Sequence, residues 1–295
     1  MTLASRDRTA PRRRPRGRGR IRLGRLAGAV AMTICALFAA LPLLFMVNNG
    51  LRTNGQILID PLGLVRAPQF GNIVTAWEGG GLGQSMGRPF FNSIIVTTIS
   101  VLIVTILATF AGYALGAFRY RGSAAVTQII LIMVAIPTQA LIIPVFDMLE
   151  NWNLTNSYLG LILVYSAFWL PFSVLLMRAA ARAFPKELLE AGRIDGLNEF
   201  SLLWRVAIPL MRAPIQGVAV VSAIGIWSEL LFAYVIMNQP NTRTLPAAAL
   251  AFQGEYTTNY PLLYSALIIA VVPIVVFYAL LASKIRKGVT AGALH

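Results

Sequence analysis

The chain has almost no histidine or cysteine, with one residue of each among 295. A single cysteine excludes an intrachain disulfide, and Cys35 lies inside an apolar run, where we expect it to be buried and to serve packing. The one histidine, His295, is the final residue, and no set of His, Cys, Asp and Glu has the spacing of metal ligands. No lysine stands in a phosphate-binding GK[ST] context either. The sequence therefore predicts a chain that binds no metal or cofactor, has no catalytic residue and is not an enzyme.

Charged residues are also scarce, at 12% of the chain, whereas 57% of the residues are hydrophobic. Ordinary soluble domains carry about 25% charged residues, so this class is excluded. Six apolar runs approach the roughly 20 residues that a helix needs to cross a bilayer. They are residues 23–47, 93–117, 124–148, 158–179, 215–237 and 262–282. We predict an all-α membrane protein with six transmembrane helices.

Arginine is concentrated at the N-terminus, where residues 1–25 contain a series of arginines and one acid, Asp7. Proline and glycine between the arginines predict a disordered arm over residues 1–22. A nucleic-acid-binding arm is conceivable, but no aromatic residue stands among the arginines to stack on bases. We therefore interpret the arm as a topology signal that contacts membrane lipids, with no nucleic-acid partner.

The other basic residues fall mostly on one side of the predicted membrane. If the arm is cytoplasmic, the inner side holds Arg119, Arg121, the basic residues of 178–212 and those of 284–287. The outer side then holds only four, which are Arg52, Arg66, Arg88 and Arg243. The positive-inside rule thus predicts that both termini are cytoplasmic.

A polar stretch, residues 186–214, separates the fourth and fifth apolar runs. Local signals predict two short helices with a tight turn between them. Pro185 favours a helix start and Gly196 favours the end of that helix. Asn198 is suited to cap a second helix over residues 199–206. With the inner side as assigned, this stretch lies in the cytoplasm.

The order of residues in this stretch resembles the EAA loop of ABC importer permeases. The resemblance rests on Glu190, Ala191, a small residue at Gly192, then Gly196, Val206, Ile208 and Pro209 at the spacing of that loop. Asp195 before Gly196 resembles the carbohydrate branch. The runs NSIIVTT, MVAIPTQALIIPVF, LGLILVYSAFWLPF and KGVTAGA also resemble the second permease of maltose-type importers, so the resemblance extends from Phe90 to the C-terminus. Gly192 and Leu197 depart from the family pattern, in which alanine is usual at both positions.

The resemblance implies the type I importer permease fold with a cytoplasmic coupling helix. It also implies a bacterial plasma-membrane location and three partners: a second permease, a cytoplasmic ABC ATPase dimer and an external solute-binding protein. The expected ATPase-coupling residues are Glu190, Ala191, Gly192, Arg193, Asp195, Gly196 and Pro209. Ala191 and Gly192 would allow close approach of the ATPase, Glu190 and Arg193 would make polar contacts to it, and Asp195 with Gly196 would fix the turn.

Together these patterns predict the domain organisation. The arm (1–22) is followed by the first transmembrane helix (23–47) and an external loop (48–92), whose glycine-rich part, residues 79–83, we expect to be flexible. The permease core (93–283) contains the other five spans, the coupling loop (184–214) and a second external loop (238–261). A cytoplasmic tail (284–295) ends the chain.

Two further sets of residues are candidates for function. In the second external loop, Gln253, Glu255 and Tyr256 are of the types that bind sugars and proteins, and by resemblance this loop reaches the binding protein; a solvated connector is the alternative. In the fifth run, Glu229 is a carboxylate at membrane depth, near Trp227 and Tyr234. These three are candidates for the translocation path, with an interhelical hydrogen-bond partner as the alternative for Glu229.

The predicted function is therefore that of a permease subunit importing a sugar or glycoside with ATP hydrolysed on a partner chain. Three alternatives remain open at this stage. An ABC permease for a non-sugar solute has the same coupling loop. An ion-coupled carrier would usually show more spans and several intramembrane charges. An intramembrane enzyme would need several polar catalytic residues converging at depth, where this sequence offers Glu229 alone.

Overall fold

The computed structural model describes residues 18–80, 85–118, 120–254 and 258–292, with side-chain surroundings between residues 26 and 280 except at Lys186. The regular secondary structure of the described residues is helical apart from one isolated bridge between Gln253 and Thr258. The helices are α1 (Arg18–Gly50), α2 (Asn54–Ile59), α3 (Gly71–Trp77), α4 (Gly87–Ala117), α5 (Ser123–Ala135), α6 (Ile142–Asn151), α7 (Tyr158–Arg182), α8 (Lys186–Ile194), α9 (Glu199–Leu202), α10 (Ile208–Leu210), α11 (Arg212–Ser228), α12 (Leu231–Ile236), α13 (Leu245–Ala249) and α14 (Tyr260–Gly292). Short 3₁₀ turns cover Thr138–Leu141 and Leu250–Phe252, and a π-helical turn covers Leu203–Ala207.

The chain divides into two compact units, residues 1–46 and 47–295. Within the first unit, the large apolar side chains of α1 from Leu26 onward are exposed. Cys35 is exposed as well, so the expectation that it is buried is wrong within this chain. The reason is that no other part of this unit covers the apolar surface of the helix. Such a surface is expected for a helix that is surrounded by hydrocarbon or by another chain.

In the second unit, α4 and α7 form the most extensive helix pair. Gly112 and Gly116 of α4 lie directly against α7, and a Cβ atom at either position would overlap Met177 or Ala181. The absence of side chains at these two glycines lets the helix backbones approach closely, which is how membrane helices gain packing energy. The close contact of α4 with α7 therefore depends on these small residues of α4.

Among the described residues, four single helices are long and apolar enough to cross a membrane, and there are up to six spans if each of two bent helix pairs is counted as one. One bent pair is α5 with the 3₁₀ turn and α6, at 87°. Pro137 explains this bend, because the residue before a proline is pushed out of the helical region, and Ile136 is extended with φ −72° and ψ 124°. The third predicted run is thus broken near its middle. The fifth run is also broken, between α11 and α12, at Glu229 and Leu230.

The loop 48–92, which is predicted to be external, is largely structured where it is described. Asn48 at the end of α1 donates from its Nδ2 to the carbonyl of Gly63 and accepts at its Oδ1 from the amide of Val65, at 2.9 and 2.8 Å. The Arg52 guanidinium is buried and donates to the carbonyls of Gln56 and Asp60, each at 2.7 Å. These bonds fold the loop back on the helix end. The expectation of flexibility at residues 79–83 falls largely outside the described residues.

Candidate functional site

The turn after α8 is closed by backbone hydrogen bonds around Gly196. The Gly196 amide donates to the carbonyl of Arg193 and the Leu197 amide donates to that of Gly192, each at 3.0 Å. This pair of bonds is the Schellman motif, which places one residue in the left-handed region. Gly196 has φ +80°. The predicted helix end at Gly196 is confirmed, and glycine is required there because side chains disfavour positive φ.

The second short helix begins as predicted. Asn198 accepts at its Oδ1 from the amide of Ser201 at 2.8 Å, so the predicted cap is confirmed. The predicted helix over residues 199–206 is also present, but it changes from the α-helix α9 to a π-helical turn at Leu203. Pro209 accounts for the difference, since it has no amide to donate and its ring excludes the carbonyl four residues earlier. The chain then bends by 73° before α11.

Gly192 faces the interior of the coupling loop. It is buried, and a Cβ atom placed there would lie 2.5 Å from Leu202 Cδ2 and 3.4 Å from Leu197 Cδ1. The small size of this residue therefore serves the packing of α8 against the segment that follows. The expected role of Gly192 in close approach of the ATPase stays a prediction, and the structure adds this packing inside the loop.

Arg193 is engaged within the coupling loop. Its Nε donates to Glu199 Oε1 at 2.8 Å, joining α8 to α9 in an exposed ion pair. The hydrogen bond to Glu199 raises the pKa of the Arg193 guanidinium above its ordinary value. This bond links α8 to α9 inside the loop, and the expected contact of Arg193 with an ATPase stays a prediction.

The outward face of α8 carries the remaining predicted residues. Glu190, Ala191 and Asp195 are exposed, together with Ile194, of which 86% is accessible, and Leu188. An isoleucine so exposed on a charged loop is unusual, since residues of this type are commonly buried. The face therefore combines carboxylates with apolar side chains that the rest of the described chain does not cover.

The three candidate path residues lie apart from one another. Trp227 donates from Nε1 to the carbonyl of Ala270 at 3.0 Å and lines an apolar groove with Phe90 and Phe277. Tyr234 is half-exposed and lines a different groove, on the side of the second external loop. Glu229 lines a third groove, beside Trp169 and Phe172. The structure does not bring the three side chains together into one site.

Glu229 is held by four hydrogen bonds at the break between α11 and α12. Its Oε1 accepts from the amides of Leu231 and Phe232 at 2.8 and 3.1 Å, and its Oε2 accepts from the amide of Ala233 at 3.2 Å. Oε2 also accepts from the Tyr165 hydroxyl at 2.7 Å. In a continuous helix these three amides would bond to the carbonyls of residues 227–229. One carboxylate thus substitutes for the backbone acceptors that the break removes, as the interhelical hydrogen-bond alternative proposed.

The second external loop is folded onto the ends of the spans. Asn92, which is buried, donates from Nδ2 to the carbonyls of Asn241 and Arg243 at 3.0 and 2.9 Å, and accepts at Oδ1 from the Tyr158 hydroxyl. Gln253 is exposed and lines the same groove as Tyr234. The other two candidates for binding-protein contact, Glu255 and Tyr256, lie outside the described residues. Among the described residues, no cluster of His, Cys, Asp and Glu is suited to hold a metal ion.

Comparison with known proteins decides what this arrangement of helices is. Residues 106–290 match the family described as "Binding-protein-dependent transport system inner membrane component". The chain belongs to this family. It is accordingly a multi-pass subunit of an ABC transporter, a transport component and not an enzyme.

The permease is 27% identical over 266 residues to the diacetylchitobiose uptake system permease protein NgcG of Streptomyces coelicolor, covering 90% of this chain and 87% of NgcG. It is 29% identical over 254 residues to the probable starch degradation products transport system permease protein AmyC of Thermoanaerobacterium thermosulfurigenes, covering 86% and 90% of the two chains. Its fold is similar to a chain in the crystal structure of a bacterial ABC transporter involved in import of the acidic polysaccharide alginate, with a TM-score of 0.73 and 20% identity. That match covers 92% of the permease and 99% of the solved chain.

Sequence reasoning missed the partner of Glu229 in this permease. Tyr165 is 64 residues away along the chain, and no spacing relates the two. Sequence reasoning also missed the hydrogen bonds of Asn92 for the same reason. The backbone carbonyls to which Asn92 donates are about 150 residues away along the chain. A lone carboxylate at depth signalled that some partner had to exist, but only the three-dimensional arrangement of α7 and α11 identifies it.

Proposed function

We propose that this permease forms, with a second permease, the membrane path of an importer for a sugar or glycoside. An external binding protein delivers the substrate, and a cytoplasmic ATPase dimer hydrolyses ATP. The names of the relatives NgcG and AmyC, which concern diacetylchitobiose and starch degradation products, support the sugar class. The description of the family supports the dependence on a binding protein.

The exposed face of α8 is the observation that carries this proposal. Leu189 and Gly192 face inward and hold α8 against the rest of the loop, whereas Ala191 and Ile194 face outward. Burying an exposed isoleucine contributes about 1.5–3 kcal/mol, so this face favours a protein partner. We infer that α8 docks in a cleft of the ATPase as a helix in a groove, with Glu190 and Asp195 at the rim of the contact.

The backbone of the coupling loop supports a lever mechanism. The Schellman turn at Gly196 and the ion pair of Arg193 with Glu199 join α8 to α9, and the segment through Pro209 continues into α11. Closure of the nucleotide-binding domains on ATP would move α8, and the loop would pass this movement to the spans. The substrate path would then change from inward-open to outward-open.

The proposal also fixes the orientation and the outer contact surface. Both termini and α8 are cytoplasmic, because the basic residues concentrate on that side. The second external loop then faces the binding protein, and Gln253 is exposed there. Glu255 and Tyr256 belong to the same proposed surface on the strength of the sequence alone.

Replacement of Ile194 by glutamate tests the docking of α8. The permease is expressed with its second permease and ATPase, and the ATPase is captured through an affinity tag on the permease. We expect Ile194→Glu to reduce recovery of the ATPase and ATP-driven sugar uptake by at least tenfold, since a charge would replace the buried apolar contact.

The matched control is Leu64→Glu, at an external position with a similar exposed fraction of 81%. This variant is expected to retain both the ATPase and uptake. Equal recovery of the ATPase with Ile194→Glu and wild type, at equal permease level, would show that α8 is not the docking helix.

A further inference from the structure

We propose that this permease itself contacts the transported sugar, in a groove where its two broken spans meet, and that the groove takes a neutral sugar. The inference rests on the proposed function as a sugar importer. The groove has a volume of about 570 Å³ and is lined by residues of the α5 break, of α7 and of the α11–α12 break. This volume falls within the range of about 300–1,000 Å³ that is typical of small-molecule sites.

The two breaks lie at similar depth. α5 has 13 residues before its break and α11 has 17, which at 1.5 Å per residue is about 20 and about 26 Å from their inner ends. Both positions are inside a hydrocarbon core about 30 Å thick. Irregular backbone at this depth is tolerated where it is buried in protein or lines a water-filled cavity, and not where lipid covers it. The groove between the breaks is therefore a candidate for an aqueous path rather than a lipid-facing surface.

Aromatic rings form one wall of the groove. Three aromatic side chains of α7 line it: Phe168, Trp169 and Phe172. Phe172 has 40% of its surface exposed. Trp169 is held in place by Gly225 of α11, where a Cβ atom would overlap the indole ring. The apolar faces of sugar rings suit such flat, fixed surfaces, since aromatic side chains offer large contact area at little conformational cost.

Polar groups with free hydrogen-bonding capacity also line the groove. Gln139 is exposed and lines the groove, and neither its side-chain amide nor the Thr138 hydroxyl bonds to another described residue. The indole N–H of Trp169 likewise has no partner among the described residues. These donors and acceptors match the hydroxyl groups of a sugar, which need partners when they leave water.

The charge of the groove selects neutral sugars. Glu229 is the one ionisable carboxylate among the described lining residues, and no Lys or Arg is among them. Its two oxygens already accept four hydrogen bonds, which is the capacity of a carboxylate. An acidic sugar would find no cation here, and a cationic ligand would find a carboxylate that is already fully bonded.

Uptake kinetics test the groove in the complete transporter with its binding protein. Gln139→Leu removes hydrogen bonding and Phe172→Ala removes part of the aromatic wall. Matched controls are Gln216→Leu, at an exposed glutamine of α11, and Phe277→Ala, at a phenylalanine with 39% exposure in a different groove. We expect the groove variants to lower the maximal uptake rate at least tenfold with KM unchanged, because KM is set by the binding protein. ATPase recovery is expected to remain at the wild-type level.

Cysteine labelling tests sugar contact directly and separately from uptake. In a Cys35→Ser background, Ala167→Cys places a thiol in the groove and Ala223→Cys places one in the Trp227 groove. In the purified complex, millimolar maltotriose or diacetylchitobiose is expected to slow labelling of Ala167→Cys by a water-soluble maleimide at least threefold. Trigalacturonate, an acidic trimer, is expected to have no effect, and Ala223→Cys is expected to be insensitive to all three.

Three results would overturn the inference. The first is equal uptake by the groove variants and their controls. The second is reaction of the thiol at residue 167 only with a lipid-soluble maleimide. The third is equal protection of that thiol by neutral and acidic sugars. Absence of ATP-driven uptake of any sugar by the wild-type transporter would overturn the proposed function instead.

Discussion

Glu229 shows how one side chain can make a helix break stable inside a membrane. Three amides at the start of α12 lose their helical acceptors, and each unsatisfied amide costs several kcal/mol in hydrocarbon. The carboxylate accepts all three, and the Tyr165 hydroxyl fixes it to α7. The acidic residue is thus a structural part of the fifth span, and a ligand in the adjacent groove would touch its neighbours.

Removal of this carboxylate is expected to destabilise the permease severely. Glu229→Ala leaves three amides and one hydroxyl without acceptors, and at about 1–3 kcal/mol for each such group the loss exceeds that of most point mutations. Glu229→Gln keeps one acceptor oxygen and should be milder, and Tyr165→Phe should cost about 1 kcal/mol. The thermal midpoint of the purified complex measures the order. Ser228→Ala, which removes a hydroxyl that bonds only within its own helix, is the control; a midpoint for Glu229→Ala equal to that of Ser228→Ala would contradict the assignment.

At the scale of elements, the coupling loop combines local and non-local determinants. The end of α8 at Gly196 and the cap at Asn198 were predictable, because both depend on hydrogen bonds within three to five residues. The inward position of Gly192 was not, because it depends on how Leu202 returns across the turn. The π-helical turn before Pro209 also depends on fitting a proline between two packed helices.

The backbone requirement at Gly196 gives a prediction for this element. A Cβ atom there would meet no other atom within 4 Å, so any cost of substitution comes from the positive φ alone. Gly196→Asn should be tolerated, since asparagine adopts this region readily, whereas Gly196→Val should cost about 1–2 kcal/mol and uncouple the loop. ATP-driven uptake and ATPase recovery provide the measurement.

Gly217 supplies the matched control for that substitution. It lies within α11 with open space around its Cβ position, so Gly217→Val should have little effect. Equal uptake by the asparagine and valine variants at residue 196 would show that the turn does not need the left-handed conformation.

The spans show the same division between local and non-local information. All six apolar runs were visible in the sequence, and Pro137 marked the break in the third. The break in the fifth run has no proline, and the carboxylate of Glu229 accepts hydrogen bonds there from amides at the start of α12. Sequence patterns locate the helices of this permease but do not show which residues of different helices meet.

For the whole molecule, the proposed orientation makes a prediction that is independent of substrate. In a Cys35→Ser background, Glu190→Cys places a thiol on α8 and Leu64→Cys places one in the first external loop, both at exposed positions. A membrane-impermeant maleimide should label only residue 64 in intact cells and only residue 190 in inside-out vesicles. The reverse pattern would place α8 on the side away from ATP, and both the orientation and the docking proposal would fail.

The capture of the second external loop by Asn92 has a consequence for the order in which the protein is made. Asn92 leaves the ribosome about 150 residues before the carbonyls that it binds. When the second helix of the nascent chain is inserted, the side-chain amide of Asn92 therefore does not yet have these two acceptors. The contact can therefore form only after residues 241 and 243 have been translated, when α1 to α12 have already been made.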